Sequence, residues 1–214
     1  MKEQNFSSPN ILERIAGEYL QVTGHNQPGR MKKQLAYSNY KHNMEIEDRL
    51  MRESFPEKWI TDQRKLSDLK FGIRDMAYAG CELIAVYNAI FHKRKQVPKL
   101  SELILQCELS GLDRFAGQWG TDVYRLGELL QANKLNYHVV RQAGELKMEG
   151  GNAYILSFWN STSIFGGIHT VFFEVKNKNQ IVGYNYFYSE KPNIITGTWE
   201  AIFQKRPFIV GYYL

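Results

Sequence analysis

The stretch Gly72-Ile73-Arg74-Asp75-Met76-Ala77-Tyr78-Ala79-Gly80-Cys81, continued by Glu82-Leu83-Ile84-Ala85-Val86-Tyr87-Asn88-Ala89-Ile90, decides the reading of the chain. It sets a cysteine directly after a small-residue turn and directly before an apolar run. Leu83, Val86, Tyr87 and Ile90 recur at helical spacing, and Ile84, Ala85, Ala89 and Phe91 make most of the remaining circumference apolar. A helix apolar all round is buried rather than surface-lying. Gly80 and Ala79 suit the chain reversal into it. Cys81 then falls in the first turn, where unpaired N–H groups and the positive dipole end favour a thiolate. A plain buried thiol fits the same position.

Working outward, 214 residues suffice for one sizeable core, or one core plus an accessory lobe. The balance of 43% hydrophobic and 23% charged residues is that of a globular protein. The formal charge is +5, but Lys and Arg are scattered, so no nucleic-acid partner is expected. Two cysteines, Cys81 and Cys107, do not make a disulfide scaffold. The start, Met1 to Phe6, has no apolar signal core, and no run approaches the roughly 18 apolar residues of a membrane span. The expectation is a reduced, cytoplasmic protein. With no HExxH, no CxxC, no acidic metal cluster and no phosphate-binding glycine motif, neither metal nor cofactor is expected.

Helices come first along the chain. One is predicted from Pro9 to about Tyr19, with Ile11, Leu12, Ile15, Ala16 and Tyr19 on its apolar face. Gly24 to Gly29 breaks it, and a second runs from Asn39 to Ser54 with Met44, Leu50 and Met51 turned inward. Trp59, Ile60, Leu66, Leu69 and Phe71 read as anchors for this lead. Residues 1–65 are therefore assigned to a helical N-terminal segment and 66–214 to the main domain. After the Cys81 helix, Pro98 to Cys107 is a further helix, with Cys107 as a small core residue. The loop Gly117-Gln118-Trp119-Gly120 leads to another, with Thr121 as N-cap.

Beyond Asn133 the period changes. Strands are predicted at 137–140, 152–159, 170–175 and 180–187, then a short helix at 199–204 and a last strand at 207–213. This order gives an α+β fold with helices packed on a mostly antiparallel sheet. Gly150-Gly151 and Gly166-Gly167 read as turn glycines. His169 opens the third strand, and Asn185 lies 16 residues later on its hairpin partner. An odd loop centred on Asn177 sets the two opposite each other on one face. A four-residue loop at 176–179 pairs His169 with Tyr186 and turns Asn185 away. In the first register the asparagine can orient the imidazole, whose other nitrogen is free to take a thiol proton.

Cys81 at a helix start, His169 opening a strand and Asn185 on the next resemble a papain-like cysteine peptidase. The interval of 88 residues from Cys81 to His169 is most like the bacteriocin-processing, double-glycine branch of bacteria. Gly80-Cys81 before an Ile-Ala-Val-Tyr-Asn helix, Trp119-Gly120-Thr121 before a Leu-rich helix and Gly167-Ile168-His169 fit that branch, over roughly residues 70–214. The resemblance implies a thiol hydrolase that cleaves a peptide or amide bond. Cys81 is then the nucleophile, His169 the general base and acid, and Asn185 the orienter. The family's usual glutamine six residues before the cysteine is Asp75 here, which when ionised cannot donate to an oxyanion; Gln63 or Tyr78 stand as substitutes. The Asp75 departure equally suits a non-catalytic peptide-binding module, and an acyltransferase would use the same triad. Trp119, Trp159 and Phe165 are candidate groove walls, and residues 1–65 a groove cover or a docking arm.

Overall fold

In a computed structural model, described for residues 29–96, 99–160, 167–186, 194–203 and 206–214, the helices precede and cover a sheet. Helix α1 spans Arg30–Ser54. A short hairpin follows, β1 (Lys70–Phe71) and β2 (Arg74–Asp75), then the single turn α2 (Met76–Ala79) and the central helix α3 (Cys81–Arg94). Helices α4 (Leu100–Leu109) and α5 (Leu126–Ala132) complete the helical half. The remainder supplies β3 (His138–Val140), β4 (Ala153–Trp159), β5 (Ile168–Asn177), β6 (Gln180–Tyr184), β7 (Ile194–Gly197), α6 (Trp199–Phe203) and β8 (Phe208–Tyr213). The sheet order is β3-β8-β4-β5-β6-β7, and every pairing is antiparallel. The α+β class and the helices-then-strands order stand as expected. The predicted helix at 9–19 and Phe165 lie outside the described residues.

Every residue of α3 from Cys81 to Phe91 is buried. One face of the sheet, through Ile155, Phe172, Tyr184 and Tyr212, joins α3 and α4 in the larger core. Trp59, Ile60 and Leu66 belong to that core as anticipated, with the Trp59 ring stacked on Tyr184 at 4.2 Å. The opposite face, through Leu156, Phe158, Val171, Phe173 and Tyr186, packs under α6 in a second core. Burial on both faces makes β4 nearly all apolar, as a central strand demands.

Two expectations about the helices need correcting. Helix α1 begins at Arg30, nine residues earlier than predicted; Leu50 and Met51 pack on the larger core as expected, but Met44 is 42% exposed, and the buried positions are Ala36 and the polar Asn39, Asn43 and Glu47. Asn39 donates to the Gly72 carbonyl and to Glu108, Asn43 exchanges two hydrogen bonds with the main chain of Lys70, and Glu47 accepts the N–H groups of Leu100 and Ser101. The helix thus docks by satisfying main-chain groups at the ends of other elements, including two free donors at the α4 start. Thr121 is not an N-cap, since α5 starts at Leu126. Thr121 instead bridges Asp113 and closes the 113–121 loop, while Asp122 accepts from Tyr124 N.

Candidate functional site

Cys81 stands at the first position of α3, after Gly80, as predicted. A Cβ on Gly80 would meet the Met76 carbonyl at 2.6 Å, so the tight turn from α2 into α3 requires glycine. The thiol is 7% exposed and sits against the Thr170 main chain on β5. Beside it, Glu82 is 3% exposed and its Oε2 has no hydrogen-bond partner. Ser157 and Thr170, paired through their hydroxyls at 2.8 Å, face the same side of the sheet.

Burial works against the thiolate that the helix start favours, and the plain buried thiol that the same position allows is the form it supports. Burial pushes the Cys81 thiol well above its ordinary range and the Glu82 charge pushes it further; the Thr170 main chain opposes this without prevailing. Burial likewise raises the Glu82 carboxyl to about 7. The sequence carried a signal here: an acid directly after the cysteine raises a thiol pKa once both are dry.

His169 is directed toward the α6 core. Along β5, Ile168 and Phe172 pack into the α3 core while Val171 and Phe173 pack into the α6 core, and His169 shares the parity of the latter. Its ring meets Phe158 edge-on at 6.0 Å between centroids, and Phe158 belongs to the α6 core. Burial lowers the imidazole to about 4; the Asn185 carbonyl acts the other way, and the Arg206 charge adds to the lowering. The described structure does not bring Cys81 and His169 together.

Asn185 does meet His169, but by its main chain. His169 Nε2 lies 2.7 Å from the Asn185 carbonyl oxygen, which can only accept, so the imidazole carries its proton on Nε2. The side chain points elsewhere: Asn185 Nδ2 donates to Gln63 Oε1 at 3.0 Å, and Oδ1 accepts from Gln63 N at 2.9 Å. Neither predicted register holds. The hairpin turns at Lys178-Asn179 and pairs Phe172 with Tyr184, and the ladder ends there. Asn185 follows with φ 64°, a left-handed residue that reverses the side-chain alternation. Tyr184 therefore joins the α3 core and Tyr186 the α6 core, although two residues apart.

The oxyanion substitutes are committed too. Gln63 Nε2 donates to the Ala77 carbonyl at 2.8 Å, and Tyr78 is 58% exposed beneath the Arg74 guanidinium. Asp75 caps α2 by accepting from Tyr78 N at 2.9 Å. Cys107 is fully buried, with its sulfur 3.8 Å from Thr121 Oγ1. Of the expected groove walls, Trp119 is 59% exposed on the 113–121 loop and Trp159 is half-buried at the end of β4.

No group of three His, Cys, Asp or Glu side chains suited to a metal occurs among the described residues. No described helix is long and apolar enough to cross a membrane. Compared with protein-family models, curated proteins and solved structures, the chain gives no match.

Proposed function

We propose that this chain is a peptide-binding module with a papain-like order of elements, and that it does not cleave what it binds. The observation that carries the reading is where the two groups find their partners: Cys81 lies against Glu82 and the Thr170 main chain, whereas His169 lies against the Phe158 ring and donates to the Asn185 carbonyl. A thiol needs a base within hydrogen-bond reach to become a nucleophile near neutral pH. Cys81 has Glu82 instead, whose charge disfavours the thiolate. His169 is held neutral and lends its Nε2 proton to a main-chain oxygen. The exposed rings of Tyr78, Phe115 and Trp119, close to the start of α3, supply the binding face.

The test is alkylation combined with product analysis. A thiol-directed alkylating probe is expected to label Cys81 no faster than an ordinary thiol, with the same rate in His169→Gln. Incubation with a peptide library is expected to yield no new termini. Rapid labelling that disappears in His169→Gln, together with cleavage lost in Cys81→Ala, would establish the hydrolase reading instead. A new amide product would establish the acyltransferase.

A further inference from the structure

Four of the eight large apolar side chains that stand exposed among the described residues gather in one place: Ile73, Tyr78, Phe115 and Trp119. The Phe115 and Trp119 rings lie 4.6 Å apart, each more than half exposed. The loop that carries them is rigidly built. Arg114 N donates to Gly120 O, Trp119 N to Arg114 O and Gln118 N to Phe115 O, while the buried Arg114 pairs with Asp122 at 2.6 Å. Ile73 N donates to Ala116 O and ties the loop to the β1–β2 turn. There a Cβ on Gly72 would fall 1.9 Å from the Ala116 oxygen.

The loop also holds its backbone in an unfavourable form. Phe115 and Ala116 adopt φ of 48° and 54°, a region that costs non-glycine residues free energy. Large rings kept in water on a strained, tightly bonded loop do nothing for the core, and such a combination marks a binding surface.

The charge on this surface is specific. Arg74 lies over the Tyr78 ring at 4.7 Å, and its Nε donates to Gln118 Oε1 at 2.8 Å, so the guanidinium is fixed between the two halves of the patch. No carboxylate among the described residues pairs with it. The nearby acids are engaged elsewhere: Asp75 caps α2, Asp113 takes Lys32 at 2.8 Å, Asp122 takes Arg114, and Glu108 accepts from Gly72 and Asn39. What remains is a preorganised cation beside an aromatic shelf, the complement of a carboxylate next to an apolar side chain.

We propose that this patch docks an extended acidic peptide, with an aromatic or aliphatic side chain against Phe115 and Trp119 and an Asp or Glu carboxylate on Arg74. This rests on the peptide-binding reading above and names its ligand class. A nucleic acid would need a row of uncompensated cations, whereas Lys32 and Arg114 are neutralised here. A second copy of the chain would need roughly 800 Å² on each partner, more than four side chains present.

The test is a titration, read by anisotropy, of full-length protein into short labelled peptides blocked at both ends. One peptide alternates Glu with Phe and Leu. Its controls carry Lys for Glu, or Ser for the apolar residues, and an oligodeoxythymidylate stands for single-stranded nucleic acid. The acidic apolar peptide is expected to bind saturably and to weaken with salt. Arg74→Gln is expected to weaken it about tenfold or more, with partial recovery in Arg74→Lys. Trp119→Ala, an exposed change that spares the core, is expected to weaken it comparably.

Equal binding of the Lys peptide, tighter binding of the oligonucleotide, unchanged affinity in both Arg74→Gln and Trp119→Ala, or no saturable binding would overturn the assignment. Cleavage of the bound peptide that is lost in Cys81→Ala, with affinity retained, would overturn only the non-catalytic reading.

Discussion

The two faces of the central sheet hold similar chemistry and treat it in opposite ways. On the α3 side, Cys81 and Glu82 are dried and pushed toward their protonated forms. On the α6 side, His169 is dried and pushed toward its neutral form. Burial acts the same way on both, disfavouring charge, but one group is an acid and the other a base, so their pKa values move apart. No hydrogen bond joins Cys81 to His169 among the described residues: the thiol lies against Glu82 and the Thr170 main chain, and the imidazole against Phe158 and the Asn185 carbonyl. A single step along the strand separates His169 from Thr170, whose main chain lies against the cysteine. Two residues adjacent in sequence can thus belong to different sites.

The largest effects should come from the core residues that define each face. Phe172→Ala on the α3 side and Phe158→Ala on the α6 side should each cost about 3–5 kcal/mol in denaturant unfolding. A cost near zero on either side would mean that face is a groove and not a core.

Next in size are the pH limbs, which should have opposite signs. Glu82 is raised from 4.5 to about 7, so folding holds its proton more tightly. Its contribution is fully present below pH 4.5 and is lost as pH rises toward about 7. His169 is lowered from 6.5 to about 4, so its contribution is fully present above pH 6.5 and is lost as pH falls toward about 4. Each limb has a slope of at most about 1.4 kcal/mol per pH unit. Urea midpoints measured across pH should lose the neutral-side decline in Glu82→Gln and the acid-side decline in His169→Gln. If one variant removed both limbs, the two groups would share one site.

Smallest should be Cys81→Ala, which removes a small buried side chain whose contacts are with Glu82 and the Thr170 main chain. It is expected to cost about 1 kcal/mol or less and to leave peptide affinity unchanged. Loss of folding in that variant would give the thiol a larger structural role than a small core side chain carries.

Much of this architecture was legible in the sequence. An apolar circumference from Leu83 to Phe91 marks a buried helix, and the short, nearly continuous apolar runs at 153–159 and 170–175 marked the central strands. The polar face of α1 was harder to read, because Asn39, Asn43 and Glu47 recur at helical spacing but match main-chain groups far away in sequence. Hydrophobicity says nothing of such partners. The decisive gap was the β5–β6 register. Side-chain direction has a period of two, so an uncertainty of one residue in the turn reverses every assignment of face. Asn185 deepened it: asparagine tolerates a left-handed backbone, yet nothing local required that conformation at this position. The order Cys81, His169, Asn185 could therefore be read from the chain, while their relation in space could not.

The most direct test of the separation is a pH titration of the Cys81 thiolate by its ultraviolet absorbance, in a Cys107→Ala background, with and without His169→Gln. The thiol is expected to stay protonated through neutral pH and to titrate above the ordinary cysteine range, identically in both proteins. A thiolate already formed near neutral pH, and lost on replacing His169, would show the two groups paired and contradict their separation.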